Sequence, residues 1–300
     1  MTSTESFDIT AIGEALVDVV EHDGRVERLP GGSPMNVAVG LGRLGRRVAI
    51  VASIGDDEPG ALLRTHLLES NVDLSFISIP EQTSTARAHL DASGSATYEF
   101  DIEWHLPSEL IVPDSRLVHV GSIGSWREPG AEVVFERVRS RPREQVATFD
   151  PNVRPSLIED RDAVIARIQA LVSTVDLVKL SDEDAEWIYP ELSHEAVLDR
   201  LVNLGTTIAV MTLGPHGAMA RVADGLIQLP AQTVHVADTI GAGDSFMAGL
   251  IDAWINKGLP LGPDLERSIV EELITTALAA AAVTVSRPGA NPPWRDELVL

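Results

Sequence analysis

The run Asp238-Thr239-Ile240-Gly241-Ala242-Gly243-Asp244-Ser245-Phe246 sets a small-residue turn and a carboxylate at the head of an apolar segment. From Ser245 to about Trp254, the residues Phe246, Met247, Leu250, Ile251 and Trp254 recur at helical spacing, so Gly241 to Asp244 is expected to form a helix's first turn. Backbone N–H groups and the positive end of the helix dipole converge on such a turn and suit it to a phosphate. A carboxylate there repels an anion, and Asp244 makes sense if it takes the proton from a hydroxyl that attacks that phosphate. The plainer alternative is an N-capped helix with an acidic first turn.

A second run, Gly31-Gly32-Ser33-Pro34-Met35-Asn36, leads through Val37-Ala38-Val39, Leu41, Leu44 and Gly45 to a strand-like Val48 to Ile54 and Gly55. Within it, Gly40-Leu41-Gly42-Arg43-Leu44-Gly45 spells the dinucleotide fingerprint G-x-G-x-x-G. Its context is reversed, since a helix runs in and a strand follows, so the glycines read as close packing and a helix stop. The sequence carries no Walker A motif, and none of its eight histidines falls at metal-ligand spacing.

The elements that must position these residues follow a βαβ rhythm. Strand-like runs at Ile9 to Gly13, Val48 to Ile54, Leu117 to Val120, Val146 to Phe149, Val175 to Leu180 and Thr207 to Leu213 alternate with helical ones. The latter lie near Met35 to Leu44, Gly60 to Leu68, Ala131 to Val138, Ala163 to Val172, Glu195 to Leu204 and Ser268 to Val283. That pattern predicts a mostly parallel sheet with helices on both faces. Ala86 to Trp104 breaks the rhythm: Tyr98, Phe100, Ile102 and Trp104 alternate with acids after a turn at Ser93-Gly94-Ser95, which predicts a hairpin with one apolar face.

Three hundred residues with 44% hydrophobic content suit one α/β domain with an insertion. No apolar run approaches the roughly 20 residues of a membrane span, and the polar stretch Met1 to Phe7 is no signal sequence, so a soluble, cytoplasmic chain is expected. The absence of cysteine removes disulfides and thiolate chemistry together. A formal charge of −22 argues against nucleic acid as a partner, and an anionic substrate then needs local cationic help.

Taken together, the two glycine runs resemble the paired signatures of the ribokinase-like (PfkB) carbohydrate kinases, and the likeness extends to Ile12-Gly13-Glu14-Ala15-Leu16-Val17-Asp18 and Phe149-Asp150-Pro151-Asn152-Val153-Arg154. The resemblance implies a three-layer α/β/α sandwich over residues 1–300, with a small β-sheet lid from segments at about 14–31 and 84–105. It implies Asp244 as general base and the backbone of Gly241, Ala242, Gly243 and Asp244 as an anion hole. Asp18, Gly31, Gly32, Asn36 and Asn152 would meet a sugar, and Arg154 a phosphate or, alternatively, a surface ion pair. Thr212, Gly214, Gly217 and Asn291 would line the nucleotide site, with Lys179 beside it. Lys179-Leu180-Ser181-Asp182-Glu183-Asp184 stands where the family carries Asn-x-x-Glu, so Asp184 would order magnesium through water. Asp238 with the carbonyls of Thr284 to Gly289 resembles a monovalent-cation site, implying possible potassium activation; a helix N-cap would explain Asp238 equally. The expected activity is phosphoryl transfer from MgATP to a sugar's primary hydroxyl. Fructose comes first, with 2-dehydro-3-deoxygluconate or ribose as alternatives and a sensor without catalysis as the other class. The hairpin's apolar stripe suggests a homodimer through the lid.

Overall fold

Strands buried on both faces lose the alternation of polar and apolar residues, and the short apolar runs of this chain form such strands. The computed structural model describes residues 6–22, 25–90, 96–107, 111–258 and 265–298, without the side chains of 21–22, 25, 88–90 and 96–98. In chain order the strands are β1 Phe7–Ile12, β2 Leu16–His22, β3 Arg25–Gly31, β4 Val48–Val51, β5 Val72–Asp73, β6 Thr85–Leu90 and β7 Ala96–Asp101. They continue as β8 Ser115–Gly121, β9 Val146–Asp150, β10 Leu177–Ser181, β11 Ile208–Thr212, β12 Ala218–Val222 and β13 Gly225–Leu229.

The large sheet runs β13-β12-β11-β10-β9-β8-β1-β4-β5. Pairing is parallel from β11 across to β5, and β12 and β13 close the other edge antiparallel. Two apolar layers cover it. On one face Met35, Leu63, Phe246, Trp254 and Val270 of four helices meet Ile9, Ile50 and Leu117; on the other, Val134, Ile168 and Leu198 meet Ile12, Val51 and Val120. This is the expected three-layer arrangement. Its parallel strands carry their C-terminal ends to one rim, where ligands of open α/β sheets bind.

The β12–β13 hairpin was not expected from the sequence, because its five-residue strands carry only a weak alternation around Ala223-Asp224. The membrane expectation also needs correction: the helix Arg267–Val285 is long and apolar enough to span a bilayer by length and composition. Its apolar positions Val270, Leu273, Ile274 and Ala277 are buried in the core beside the helix Ala242–Asn256.

The early segments form a separate sheet, β3-β2-β6-β7, in which β2 and β6 pair in parallel between two antiparallel edges. The expected turn at Ser93-Gly94-Ser95 lies outside the described residues. The described part of the apolar stripe turns inward: Ile102 and Trp104 are buried, and Phe100 packs against the same core. Tyr98's side chain is outside the described residues.

Candidate active site

The helix Ala242–Asn256 begins where its sequence placed it, and Gly241 is its N-cap with φ of 74°. A Cβ at Gly241 would sit 2.6 Å from the Ala290 Cβ, so both conformation and packing require glycine there. No side chain caps this helix, which sets aside the plainer N-cap reading of the run. The Ala242 N–H reaches the Thr239 carbonyl at 3.2 Å, whereas the N–H groups of Gly241, Gly243 and Asp244 make no backbone hydrogen bond among the described residues and stand open at the start of the helix.

Asp244 is buried, and both its oxygens are held: Ser33 Oγ donates to one at 2.6 Å and Asn36 Nδ2 to the other at 2.8 Å. Asn36, expected at a sugar hydroxyl, therefore first positions the carboxylate. Ser33 was quoted in the glycine run without a role; its place one turn before Asn36 on the same helix was the available signal.

Below this turn lies Lys179, whose Nζ donates to Asp150 Oδ2 at 2.8 Å. Lys179 lies within β10 and Asp150 ends the adjacent parallel strand β9, and their side chains are 5% and 0% exposed. A Cβ at Gly243 would come 3.0 Å from the Lys179 Nζ, which puts the ammonium directly beneath the glycine turn. Burial works against its charge, but Asp150, Asp184 and Asp244 together outweigh that and hold its pKa above the ordinary lysine value. The second oxygen of Asp150 is buried without a hydrogen-bond partner among the described residues.

Asp184 is the third residue of a capping box: its Oδ2 accepts from Ser181 N and Oγ, while Oδ1 accepts from Val153 N at 2.7 Å. It thereby ties the β10 exit to the 151–154 turn. In that turn Asn152 has φ of 34°, and Arg154 is exposed with its Nη1 against Asn152 Oδ1 at 2.6 Å.

Two carboxylates face the same region. Burial pushes Asp18, on β2, up to about 6, with Arg154 opposing the shift. Burial pushes Glu14 up to about 7 against a hydrogen bond from Gly124 N and the pull of Arg154. Glu14 was not singled out from the sequence, since its hydrogen-bond partner Gly124 lies 110 positions away. Gly31 and Gly32 allow close approach here: a Cβ at Gly31 would strike Asp18 Oδ2, and one at Gly32 the Glu14 carbonyl.

The remaining candidates lie on other segments. Asp238 does not cap the helix; its oxygens accept the N–H groups of Ile240 and Gly289 at 3.0 and 2.8 Å, joining the turn to the 287–290 loop. Asn291 follows that loop with its Oδ1 taken by Arg43 Nη1 at 2.6 Å. Thr212 ends β11, Gly214 opens a short turn with φ of 51°, and Gly217 is needed where the chain crosses the Leu229 carbonyl. Gly40 and Gly42 lie inside the helix Ser33–Arg43 against Ala248 and the Ser70 carbonyl, and Gly45 follows its end at φ of 78°, as close packing and a helix stop require.

The site thus combines a held carboxylate, open helix-turn amides and a buried ammonium. Comparison with known proteins places the chain in a family. The chain is 34% identical over 257 residues to a fructokinase of Rhizobium leguminosarum bv. trifolii, covering 81% of this chain and 78% of that protein. It is 30% identical to a fructokinase of Klebsiella pneumoniae over 97% of both chains. Among solved structures, aminoimidazole riboside kinase from Salmonella enterica, complexed with aminoimidazole riboside and an ATP analogue, superimposes with a TM-score of 0.84 at 26% identity, covering 97% of this chain and 98% of that one. The description "pfkB family carbohydrate kinase" matches residues 2–297, and the chain belongs to that family.

Proposed function

We propose that this sugar kinase transfers the terminal phosphoryl group of ATP to a primary hydroxyl of a neutral sugar, with fructose the first candidate. The observation that carries the reading is Asp244, fixed by Ser33 and Asn36 at the turn where Gly243, Asp244 and Lys179 offer positive charge. Asp244 accepts the proton of the acceptor hydroxyl as that oxygen bonds to phosphorus and the bond to the ADP oxygen breaks. Charge on the transferred group is met by the two amides and the Lys179 ammonium. Magnesium carried on the nucleotide would add neutralising charge between its phosphates. Asp184 would help by holding the 151–154 turn, since both its oxygens are already engaged. Thr212, Gly214, Gly217 and Asn291 lie on the nucleotide side of this reading, and the Asp238 bridge to Gly289 frames the proposed potassium site.

Asp18 and Gly31 stand on the small sheet, which supports its role as a lid over the acceptor. Glu14 and Asp18 facing one Arg154 favour a neutral polyol and oppose the carboxylate of 2-dehydro-3-deoxygluconate. The fructokinase relatives support fructose among neutral sugars. The test is coupled ADP release with MgATP across fructose, ribose, 2-dehydro-3-deoxygluconate, glucose, inositol, adenosine and aminoimidazole riboside, with and without potassium. Turnover of fructose well above the others is the expected result. Preference for the acid sugar would overturn the neutral-acceptor reading, and silence across the panel would overturn fructose and favour a binding protein on this fold.

A further inference from the structure

Gly124 is held from both sides by groups that belong to neither of its neighbouring elements. Its N–H donates to Glu14 Oε2 at 2.8 Å, and its carbonyl accepts the indole N–H of Trp104 at 3.0 Å. Glu14 lies between β1 and β2, on the stem by which the chain enters the small sheet. Trp104 lies just after β7, on the stem by which it leaves. The fit at Gly124 leaves no room for adjustment: a Cβ there would meet the Gly13 Cα at 2.8 Å and Glu14 Oε2 at 3.2 Å. Trp104 is equally confined, because a Cβ at Gly130 would strike its ring at 2.3 Å.

The turn so gripped is strained. Ser122 has φ of 47°, and its hydroxyl reaches the carbonyl of Asn152, itself at φ of 34°. Non-glycine residues at positive φ persist only where their surroundings over-determine them. Here two such residues touch across the C-terminal ends of β8 and β9, beside Arg154.

We infer that Glu14 is a positioning residue of the acceptor site: with Trp104 it clamps Gly124, fastening both stems of the small sheet to the turn whose Ser122 holds the Asn152 carbonyl. The inference rests on the sugar-kinase reading in treating that turn as part of the acceptor site. Its effect falls on the sugar, because the clamp lies apart from the residues assigned to the nucleotide. An accepting oxygen at position 14 is what the clamp needs, so glutamine should serve where leucine cannot.

The test compares Glu14→Leu, Glu14→Gln and Trp104→Phe in the full chain by kinetics and by hydrogen exchange of the free protein. In Glu14→Leu the Gly124 amide should exchange at least about tenfold faster, with the 241–246 turn unchanged, and KM for fructose should rise about tenfold with KM for MgATP within about twofold. Glu14→Gln should restore most of both, and Trp104→Phe should raise KM for the sugar in the same selective way. Unchanged exchange at Gly124 in Glu14→Leu overturns the clamp. A matched rise in KM for both substrates, or faster exchange with no change in KM for the sugar, reduces Glu14 to a structural role and overturns the inference. If Glu14→Leu does not fold, Trp104→Phe alone decides by the same criteria. A parent enzyme that phosphorylates no sugar would defeat the kinase reading separately, and the exchange measurement would still decide whether Gly124 is clamped.

Discussion

Replacing Asp244 by asparagine separates chemistry from architecture, because the hydrogen bonds around the carboxylate can survive the change. The asparagine carbonyl can take the Asn36 N–H that now reaches Asp244 at 2.8 Å. Its amide group then faces Ser33, whose hydroxyl sits 2.6 Å from the carboxylate today and can turn to accept. The pair of charge-assisted bonds becomes two neutral ones, a stability cost of about 1 kcal/mol. Loss of the base should lower kcat by about 10²–10⁴-fold. That is about 3–5 kcal/mol of barrier at 1.36 kcal/mol per tenfold, well above the folding cost. KM for the sugar should stay within about threefold, since the acceptor pocket keeps its shape. Coupled ADP release gives kcat and KM, and thermal melting of the same preparation tests the fold. A variant with kcat within about twofold of the parent, and a melting transition to match, would remove Asp244 from the proton transfer.

Three further expectations follow from the same geometry. Lys179→Met leaves Asp150 buried without its ammonium and should destabilise the fold by about 3–5 kcal/mol in urea unfolding, while adding Asp150→Asn should recover most of the loss. Failure of the second change to recover stability would mean that the pair is not the source of the cost. Gly241→Ala forces a side chain into the left-handed region and into Ala290; the backbone alone should cost about 1–2 kcal/mol, and KM for MgATP should rise more than KM for the sugar. Glu14 ionises near 7 in the folded chain against 4.5 ordinarily, so between those values the unfolded chain gives up a proton that the folded chain keeps, and stability falls as pH rises. Glu14→Gln should therefore melt higher than the parent at pH 8, by up to about 3 kcal/mol of stability, with the gain shrinking towards pH 5; a gain independent of pH would contradict the burial argument.

The parallel sheet could be read from the chain because each buried strand is a short run such as Val146 to Phe149, bounded by a helix with its own period. The glycine turn at the head of Ala242–Asn256 could be read because its glycines, Asp244 and the helix they start are contiguous. What could not be read was pairing across distance. Nothing near Lys179 announces that Asp150 ends the next strand, and nothing near Glu14 announces Gly124. Asn36 illustrates the same limit: its amide could serve a sugar or a carboxylate, and only the meeting of two helices selects Asp244 as the group it holds. The β12–β13 hairpin leaves little trace in the sequence because an edge pair five residues long needs little local signal once β11 templates it.

The bond from Ser33 to Asp244 joins residues 211 positions apart, and it has a temporal meaning for a chain made from one end. At about 5–20 residues per second, the helix Ser33–Arg43 exists for roughly 10–40 s before its partner Ala242–Asn256 is synthesised. Through that interval the face of this helix that later receives Ala242–Asn256, with Gly40 against Ala248, has no helix to cover it. The half-made protein thus carries an apolar surface that the finished one conceals, and its yield in a cell depends on how that surface is shielded while the second half is being made.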